Sequence, residues 1–268
     1  MLNALQIAAT GMAAQQLNVE TISNNLANMA TPGFKRSKVS FVDLVNQGSA
    51  AASSLGANSA NSASNDASPL SHSFGAGVSV SSVDTSFDVG DAQKTGSPLD
   101  LMINGDGFLE VVMPDGSRAF SRGGSLKVAS DGALTTQAGQ VLKANITVPD
   151  GMQDLTIGAD GKVSARASAQ ANWMELGQLP LVRFNNEAGL ESLGDGLYRT
   201  SDASGDSISG VAGENGMGSI KQGYVEGANV KLVDEYVGLM MAQRAYEASV
   251  KVVQASDEML SLTNNLRK

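Results

Sequence analysis

The apolar residues of positions 2–29 recur every seven residues, and this period predicts one long helix. Two columns of the repeat occupy the a and d positions of a coiled-coil helix: Leu5, Met12, Val19 and Leu26, and Ala8, Gln15, Ile22 and Met29. We expect the helix to end near Asn28–Pro32, because the residue before a proline is disfavoured in the helical region. The opposite face carries Asn, Gln, Thr and Ala rather than charged residues, which favours burial against other chains.

A second seven-residue repeat covers positions 229–266 and predicts a C-terminal helix. Its columns are Leu232, Leu239, Tyr246, Val253 and Leu260, and Tyr236, Gln243, Val250, Asp257 and Asn264. Glu247 and Lys251 form an i,i+4 pair in the favourable order. The two helices either pair only within one chain or are buried between chains. The almost uncharged N-terminal helix favours burial between chains.

Between the helices, the pattern changes to short apolar runs separated by turn pairs, which is typical of β structure. The predicted strands are Val78–Val83, Leu109–Met113, Leu126–Val128, Val141–Val148, Leu155–Ile157 and Leu179–Phe184. Asp-Gly pairs, which suit turns with positive φ, end at Gly107, Gly116, Gly132, Gly151 and Gly161. The predicted fold class is α+β, with long N- and C-terminal helices paired as a coiled coil and a central, mostly antiparallel β domain.

Residues 48–68 consist almost entirely of Gly, Ala, Ser and Asn. Such a segment buries too little apolar surface to offset its ordering entropy alone, so we interpret it as a linker or insertion. The predicted domain organisation is therefore an N-terminal helix and turn over 1–45, an insertion over 46–74, a β domain over 75–224 and a C-terminal helix over 225–268.

The composition of the chain argues against several classes of partner and of catalytic or metal site. The 268 residues include 18 Lys and Arg against 27 Asp and Glu, a net charge of -9, which argues against a nucleic-acid partner. The absence of Cys excludes thiolate nucleophiles and Cys-based metal sites, and the single His72 argues against a His-based metal centre or triad. We expect no catalytic residue, no metal and no cofactor.

Two further features have simple interpretations. Gly105-Asp106-Gly107-Phe108 lacks the third glycine of a nucleotide-binding loop and precedes a strand, so we interpret it as a tight turn entering that strand. The first 33 residues carry one charge, Glu20, and no basic start followed by a compact apolar block. We therefore expect no cleavable signal peptide and, since no run of 18 apolar residues occurs, no membrane-spanning helix.

Both ends of the chain resemble the bacterial flagellar rod and hook family. At the N-terminus, the motif residues are Asn24, Asn25, Leu26 and Asn28, followed by Gly33 and Phe34 within Thr31-Pro32-Gly33-Phe34-Lys35-Arg36. Those towards the C-terminus are Gln222-Gly223-Tyr224-Val225-Glu226, Asn229-Val230 and Gln243-Arg244-Ala245-Tyr246-Glu247. The central element is Gly105, Gly107 and Phe108, and the stretch 189–198 resembles the distal-rod members in particular.

The resemblance implies a structural subunit of the distal rod rather than an enzyme. Such a subunit would polymerise with copies of itself into an open helical tube, which transmits torque from the basal body to the hook and encloses the export channel. The implied partners are other axial proteins of the proximal rod and hook, the surrounding ring proteins and the flagellar export apparatus. The implied location is the basal body, in the rod that spans the periplasm.

The resemblance implies that the two terminal helices pair in an inner layer, and from the heptad pattern we expect members of its columns to form the assembly interface. These are Leu5, Met12, Val19, Ile22 and Leu26 in the first helix, and Leu232, Tyr236, Leu239, Tyr246, Val250, Val253 and Leu260 in the second. Residues 46–72 would become ordered only in the assembled rod. A proximal rod or hook subunit is the alternative within the family, and a hydrolase using carboxylates such as Asp100 and Asp106 is a weaker alternative from another class.

Overall fold

The computed structural model describes residues 2–46, 74–152, 154–168 and 172–265. They form two compact units. The first contains the described residues of 1–23, 38–83 and 233–268, and the second contains residues 24–37 and the described residues of 84–232. The predicted insertion at 48–68 and His72 lie outside the described residues. The domain boundaries predicted from the sequence therefore stay a prediction.

The first unit contains most of both long helices, α1 (Leu2–Ala27) and α2 (Leu232–Asn265). A Cβ built on Gly11 would lie 3.6 Å from the Ser249 hydroxyl, and one on Gly238 would lie 3.4 Å from Ile22 Cδ1. The two helices therefore run antiparallel where they touch, since an advance of eleven residues along α1 matches a retreat of eleven along α2. The same unit holds most of a two-stranded ribbon, β1 (Ser37–Asn46) with β2 (Phe74–Thr85).

The second unit is a β domain, and the strand pairings among its described residues are all antiparallel. Its strands are β3 (Ala92–Lys94), β4 (Asp100–Asn104), β5 (Phe108–Val112), β6 (Arg118–Ser121), β7 (Gly123–Val128), β8 (Leu134–Thr136), β9 (Val141–Leu142), β10 (Asp154–Ile157), β11 (Lys162–Arg166), β12 (Met174–Gln178), β13 (Leu181–Arg183), β14 (Glu191–Gly194), β15 (Leu197–Arg199), β16 (Ile208–Gly210), β17 (Ser219–Gln222) and β18 (Tyr224–Glu226). A short 3-10 helix covers Glu187–Gly189. The α+β fold class is confirmed.

The largest sheet of the second unit has eleven strands. Its main path runs β14-β15-β6-β5-β9-β8-β7-β4-β17, and β13 pairs with both β5 and β16 beside that path. Strands β10, β11 and β12 form a separate sheet, and β18 pairs with β3. Strand neighbours are often far apart in sequence, as where β17 pairs with β4. Because alternate side chains of each strand point to the same face of the sheet, segments that are distant in sequence contribute side chains to one core.

Two buried clusters fill the second unit. The larger is aliphatic and includes the fully buried Ile103, Val111, Val163 and Leu181. The smaller is aromatic and is built from Phe87, Phe108, Phe120, Val182, Phe184, Leu190 and Tyr198. Aromatic residues are only 4% of the chain, yet several of them are concentrated at this one place.

The predicted turns are confirmed, and one predicted strand is wrong in extent. The five Asp-Gly glycines all have positive φ: Gly107 140°, Gly116 81°, Gly132 79°, Gly151 86° and Gly161 83°. The run Val141–Val148, in contrast, is a strand only as far as Leu142. It turns there because the Asn145 amide donates to the Leu142 carbonyl at 3.0 Å, which closes a four-residue turn, and Asn145 adopts a left-handed φ of 46°. Strand β1 had no sequence prediction. Within the described residues, neither long helix is apolar enough to cross a membrane.

Candidate assembly surface

Helix α2 exposes large apolar side chains over one side of its first three turns. The exposed fractions are 72% for Val233, 50% for Tyr236, 44% for Val237, 53% for Met240 and 68% for Met241. We call these five residues the α2 apolar stripe. At 100° per residue they fall within an arc of about 140°, so they form one continuous surface rather than scattered exposed positions. Such a stripe on a helix that bears charge elsewhere marks an interaction surface.

The predicted assembly residues are distributed between partly buried and exposed positions. Ile22 is buried, and Leu5, Met12, Val19, Leu26, Leu239, Val250 and Val253 are partly buried. Leu232, Tyr236, Tyr246 and Leu260 are exposed, with exposed fractions of 37–50%. The structure brings Ile22 beside Gly238, next to Leu239 in sequence. Most of the other buried residues of the two helices are small: Ala8, Ala14, Ala242 and Ser256.

The family-motif residues of α2 lie on its surface. Gln243, Arg244 and Glu247 are exposed, as is Tyr246 at 41%. They extend the polar and aromatic exposed surface of α2 beyond the α2 apolar stripe.

The motif residues after α1, in contrast, make specific contacts inside the second unit. The Asn25 side chain is 1% exposed; its amide donates to the Ser37 carbonyl at 2.8 Å and its oxygen accepts from the Ser37 amide at 2.9 Å. Gly33 has φ 72°, and its amide donates to the Glu226 carbonyl at 2.7 Å. Asn24 is exposed, and Leu26, Asn28 and Phe34 are partly buried. This segment is therefore held as a defined turn, not as a loose connection.

Asn229, from the segment that precedes α2, binds the same turn. Its side-chain oxygen accepts from the Arg36 amide at 2.7 Å, and its amide donates to the carbonyls of Ser86 at 2.8 Å and Asp88 at 3.2 Å. The residues that end α1 and those that precede α2 thus meet on one part of the β domain.

A buried ionic group lies at this meeting point, and sequence reasoning missed it. Lys35 Nζ donates to Glu226 Oε1 at 2.7 Å and to the Asp88 carbonyl at 2.7 Å, and Arg122 Nε lies 3.6 Å from Glu226 Oε2. All three side chains are at most 2% exposed. We call Lys35, Arg122 and Glu226 the buried ionic triad. Burial lowers the pKa of Lys35, opposed by its hydrogen bond to Glu226. The only signal in the sequence is that a charge sits inside each terminal motif.

The central glycine element is a turn that delivers an aromatic residue to the core. Gly105 and Gly107 have φ of 113° and 140°, and β5 begins at Phe108, which is fully buried. A Cβ on Gly107 would lie 3.3 Å from Leu181 Cδ1, so the turn is packed against β13. The interpretation of this element as a turn into a strand is confirmed.

The carboxylates considered for hydrolysis do not share a cavity. Asp106 lines a surface cavity with Arg183, Phe184 and Glu187, whereas Asp100 is buried in β4 and does not line it. Glycoside hydrolysis by a pair of carboxylates needs both groups placed around one substrate bond. The geometry gives no support to that alternative.

Three family models match the chain. Residues 5–35 match the model described as flagella basal body rod protein, residues 102–165 match the D1 domain of the flagellar hook protein FlgE/F/G, and residues 221–266 match the C-terminal part of flagellar basal body rod FlgEFG proteins. The matched segments contain most of α1 with its following turn, the part of the β domain from β4 to β11, and α2.

Full-length relatives give the same result. The chain is 38% identical over 270 residues to the flagellar basal-body rod protein FlgG of Borreliella burgdorferi, with all of both chains covered. It is 40% identical over 266 residues to FlgG of Caulobacter vibrioides, covering 99% of this chain and all of the relative. The flagellar basal-body rod protein FlgF of Salmonella typhimurium is 29% identical over 264 residues, with 96% of each chain covered.

Proposed function

The chain belongs to the family of flagellar basal-body rod proteins, as a structural subunit of the distal rod without an enzymatic role, and from this premise we propose how it assembles. Copies of the chain polymerise head to tail into an open helical tube. The tube transmits torque from the basal body to the hook and encloses the export channel.

The observation that carries this proposal is the α2 apolar stripe. Five large side chains, each between 44% and 72% exposed, are costly to leave in water, since burial of one such side chain is worth about 1.5–3 kcal/mol. A neighbouring copy offers the same stripe and the partly buried apolar residues of α1. Repetition of this contact along a polymer would bury the stripe of every subunit.

In the tube, the two long helices pair as a coiled coil in an inner layer. We propose that the column of Leu5, Met12, Val19 and Leu26 meets the column of Leu232, Leu239, Tyr246 and Val253, with Ile22, Tyr236, Val250 and Leu260 completing the assembly interface. The antiparallel contacts of Gly11 with Ser249 and of Ile22 with Gly238 support pairing of these two helices. The low charge of α1, with Glu20 alone among residues 2–27, fits burial on several sides.

The surroundings of the tube follow from the same proposal. Other axial proteins of the proximal rod and the hook would continue the helical lattice at either end, and ring proteins would surround the outer surface. The subunit would reach the periplasm-spanning rod through the flagellar export apparatus, without a cleavable signal peptide.

The test is polymerisation of the purified full-length chain, followed by electron microscopy. Met241→Lys places a charge in the α2 apolar stripe at a side chain that is 68% exposed, so the isolated subunit keeps its fold. We expect wild type to form narrow tubes and Met241→Lys to stay monomeric.

Val128→Lys is the matched control, because Val128 is also exposed, at 42%, but lies in β7 of the β domain. It should still form tubes. Normal tubes from Met241→Lys would contradict the proposal, and so would failure of the wild type to polymerise under any condition that supports its folding.

A further inference from the structure

The buried ionic triad joins three segments that are distant in sequence. Lys35 follows α1, Arg122 connects β6 to β7, and Glu226 ends β18 shortly before α2. Arg122 Nη1 also donates to the Gly107 carbonyl at 2.9 Å, and its guanidinium lies 5.5 Å from the Phe108 ring centroid. The triad is therefore anchored in the aromatic core of the β domain.

The charge balance makes Glu226 the critical member. Two buried cations face one buried anion. The other carboxylates that interact with these cations are less buried: Asp88 is exposed and Glu187 is half-buried. Burial raises the pKa of Glu187, partly opposed by Arg122. Removing one partner from a buried ionic group leaves an uncompensated charge, which costs far more than the net value of the pair. Loss of Glu226 would leave two such cations, whereas loss of Lys35 would leave Glu226 beside Arg122.

Glu226 also organises the backbone around it. Its carbonyl accepts from the Gly33 amide at 2.7 Å, and its Oε1 accepts from the Gly90 amide at 2.9 Å as well as from Lys35. A single residue before α2 thus holds the turn after α1 and the segment before β3. Asn229 bonds to the same two segments, through the Arg36 amide and the carbonyls of Ser86 and Asp88, but it carries no charge to balance Lys35 and Arg122.

We propose that Glu226 is a positioning residue that couples the segment after α1 to the segment before α2. The turn at 31–36 is ordered only while the segment 224–229 is in place, and the segment 224–229 is ordered only while the turn is in place. The inference rests on the proposed function, because a tube subunit must present both helices from a fixed point. The coupling itself is a property of the monomer. Order of the junction therefore precedes assembly and does not depend on neighbouring subunits.

The experiment is amide hydrogen exchange of the full-length monomer, followed residue by residue by NMR. In Glu226→Gln, which keeps the shape and removes the anion, we expect the amides of Gly33, Arg36 and Gly90 to exchange at least tenfold faster. The amides of the ladder between β5 and β6 should be unchanged. Glu191→Gln is the matched control, because its 2.6 Å ion pair with Arg199 is exposed, and it should change none of these rates.

Lys35→Met provides the reciprocal test and remains informative if Glu226→Gln does not fold. It should accelerate exchange at Gly33 and Arg36 less than Glu226→Gln does. It should also accelerate exchange of the Gly227 amide, which lies next to Glu226 in sequence and donates to the Asp91 carbonyl at 2.8 Å.

The double variant Lys35→Met with Glu226→Gln should exchange no faster than Glu226→Gln alone, because it removes one uncompensated cation. The proposal is overturned if Glu226→Gln accelerates Gly90 but leaves Gly33 and Arg36 unchanged, or if Lys35→Met leaves Gly227 unchanged. Because exchange is measured on monomers, the two proposals can fail separately. If the wild type forms tubes but the exchange rates are uncoupled, only the coupling through Glu226 is refuted. If the exchange rates are coupled but no tubes form, only the proposed function is refuted.

Discussion

Truncation of Phe108 to Ala should destabilise the β domain more than almost any other single substitution. The ring is fully buried and makes edge-on contacts with Phe87, Phe184 and Tyr198 at centroid distances of 5.3, 5.6 and 6.1 Å, and Arg122 lies above it. Replacement of a buried Phe by Ala costs about 3–5 kcal/mol of unfolding free energy. For a unit of 150–250 residues, that corresponds to a fall in Tm of roughly 6–20 °C.

Phe108→Leu separates the ring contacts from simple loss of volume. Leu retains most of the apolar bulk but loses the edge-on geometry, and each aromatic pair contributes about 0.5–1.5 kcal/mol beyond its area. We expect Phe108→Leu to cost about 1–3 kcal/mol, between wild type and Phe108→Ala. Urea denaturation followed by circular dichroism measures both values on the full chain.

Phe41→Ala is the control, because it removes the same ring from β1, where the side chain is 42% exposed and belongs to the other compact unit. It should change the unfolding free energy of the β domain by less than about 0.5 kcal/mol. If Phe108→Ala cost no more than Phe41→Ala, the aromatic cluster would not be the centre of this domain and the reasoning from burial would be refuted.

Three further predictions concern turns and titration. Gly116→Ala and Gly132→Ala both place a Cβ at a positive φ, which costs about 1–2 kcal/mol of unfolding free energy. Only at Gly132 would the Cβ lie 2.5 Å from a carbonyl oxygen. Chemical denaturation should therefore show a larger loss of unfolding free energy for Gly132→Ala. Equal losses would contradict this. Burial raises the pKa of Glu187, so the stability from its bound proton is present below the unfolded value of 4.5 and is lost as pH rises through the folded pKa. Glu187→Gln should therefore be more stable than wild type at pH 7 but not at pH 3, and a constant difference would refute this. Burial raises the pKa of Tyr198 to about 12, so Tyr198→Phe should reduce the loss of stability between pH 10 and pH 12; an unchanged pH dependence would count against it.

Features that depend on neighbours in sequence were predictable. The heptad repeats predicted helices over 2–29 and 229–266, and the structure has them at Leu2–Ala27 and Leu232–Asn265. The Asp-Gly pairs predicted turns because an Asp-Gly step readily places its second residue at positive φ, a local property that needs no tertiary information. The Gly105–Phe108 element could be interpreted as a turn for the same reason.

Features that depend on distant partners were not predictable. The pairing of β4 with β17 is one example, since Ile103 and Ile220 meet from opposite ends of the β domain and no local signal marks either partner. The buried ionic triad is another, since Lys35 and Glu226 are separated by 191 positions and each alone resembles an ordinary surface charge. Lys and Glu are almost never fully buried unless they are paired, so each of these residues considered alone would be expected at the surface.

The two compact units differ in how completely they bury their own apolar side chains. This difference distinguishes substitutions that should affect folding from those that should affect assembly. The β domain encloses an aliphatic and an aromatic cluster, so its core is complete within one chain. The helices bury mainly small residues, Ala8, Ala14 and Ala242 among them, while the side chains of the α2 apolar stripe remain exposed. Closely approaching small residues can set the pairing of two helices, but their burial contributes little hydrophobic free energy. Under the proposed assembly, neighbouring subunits would bury the large residues that contribute most. A change inside the β domain should therefore alter the stability of the monomer, whereas a change in the α2 apolar stripe should alter the concentration at which the chain polymerises.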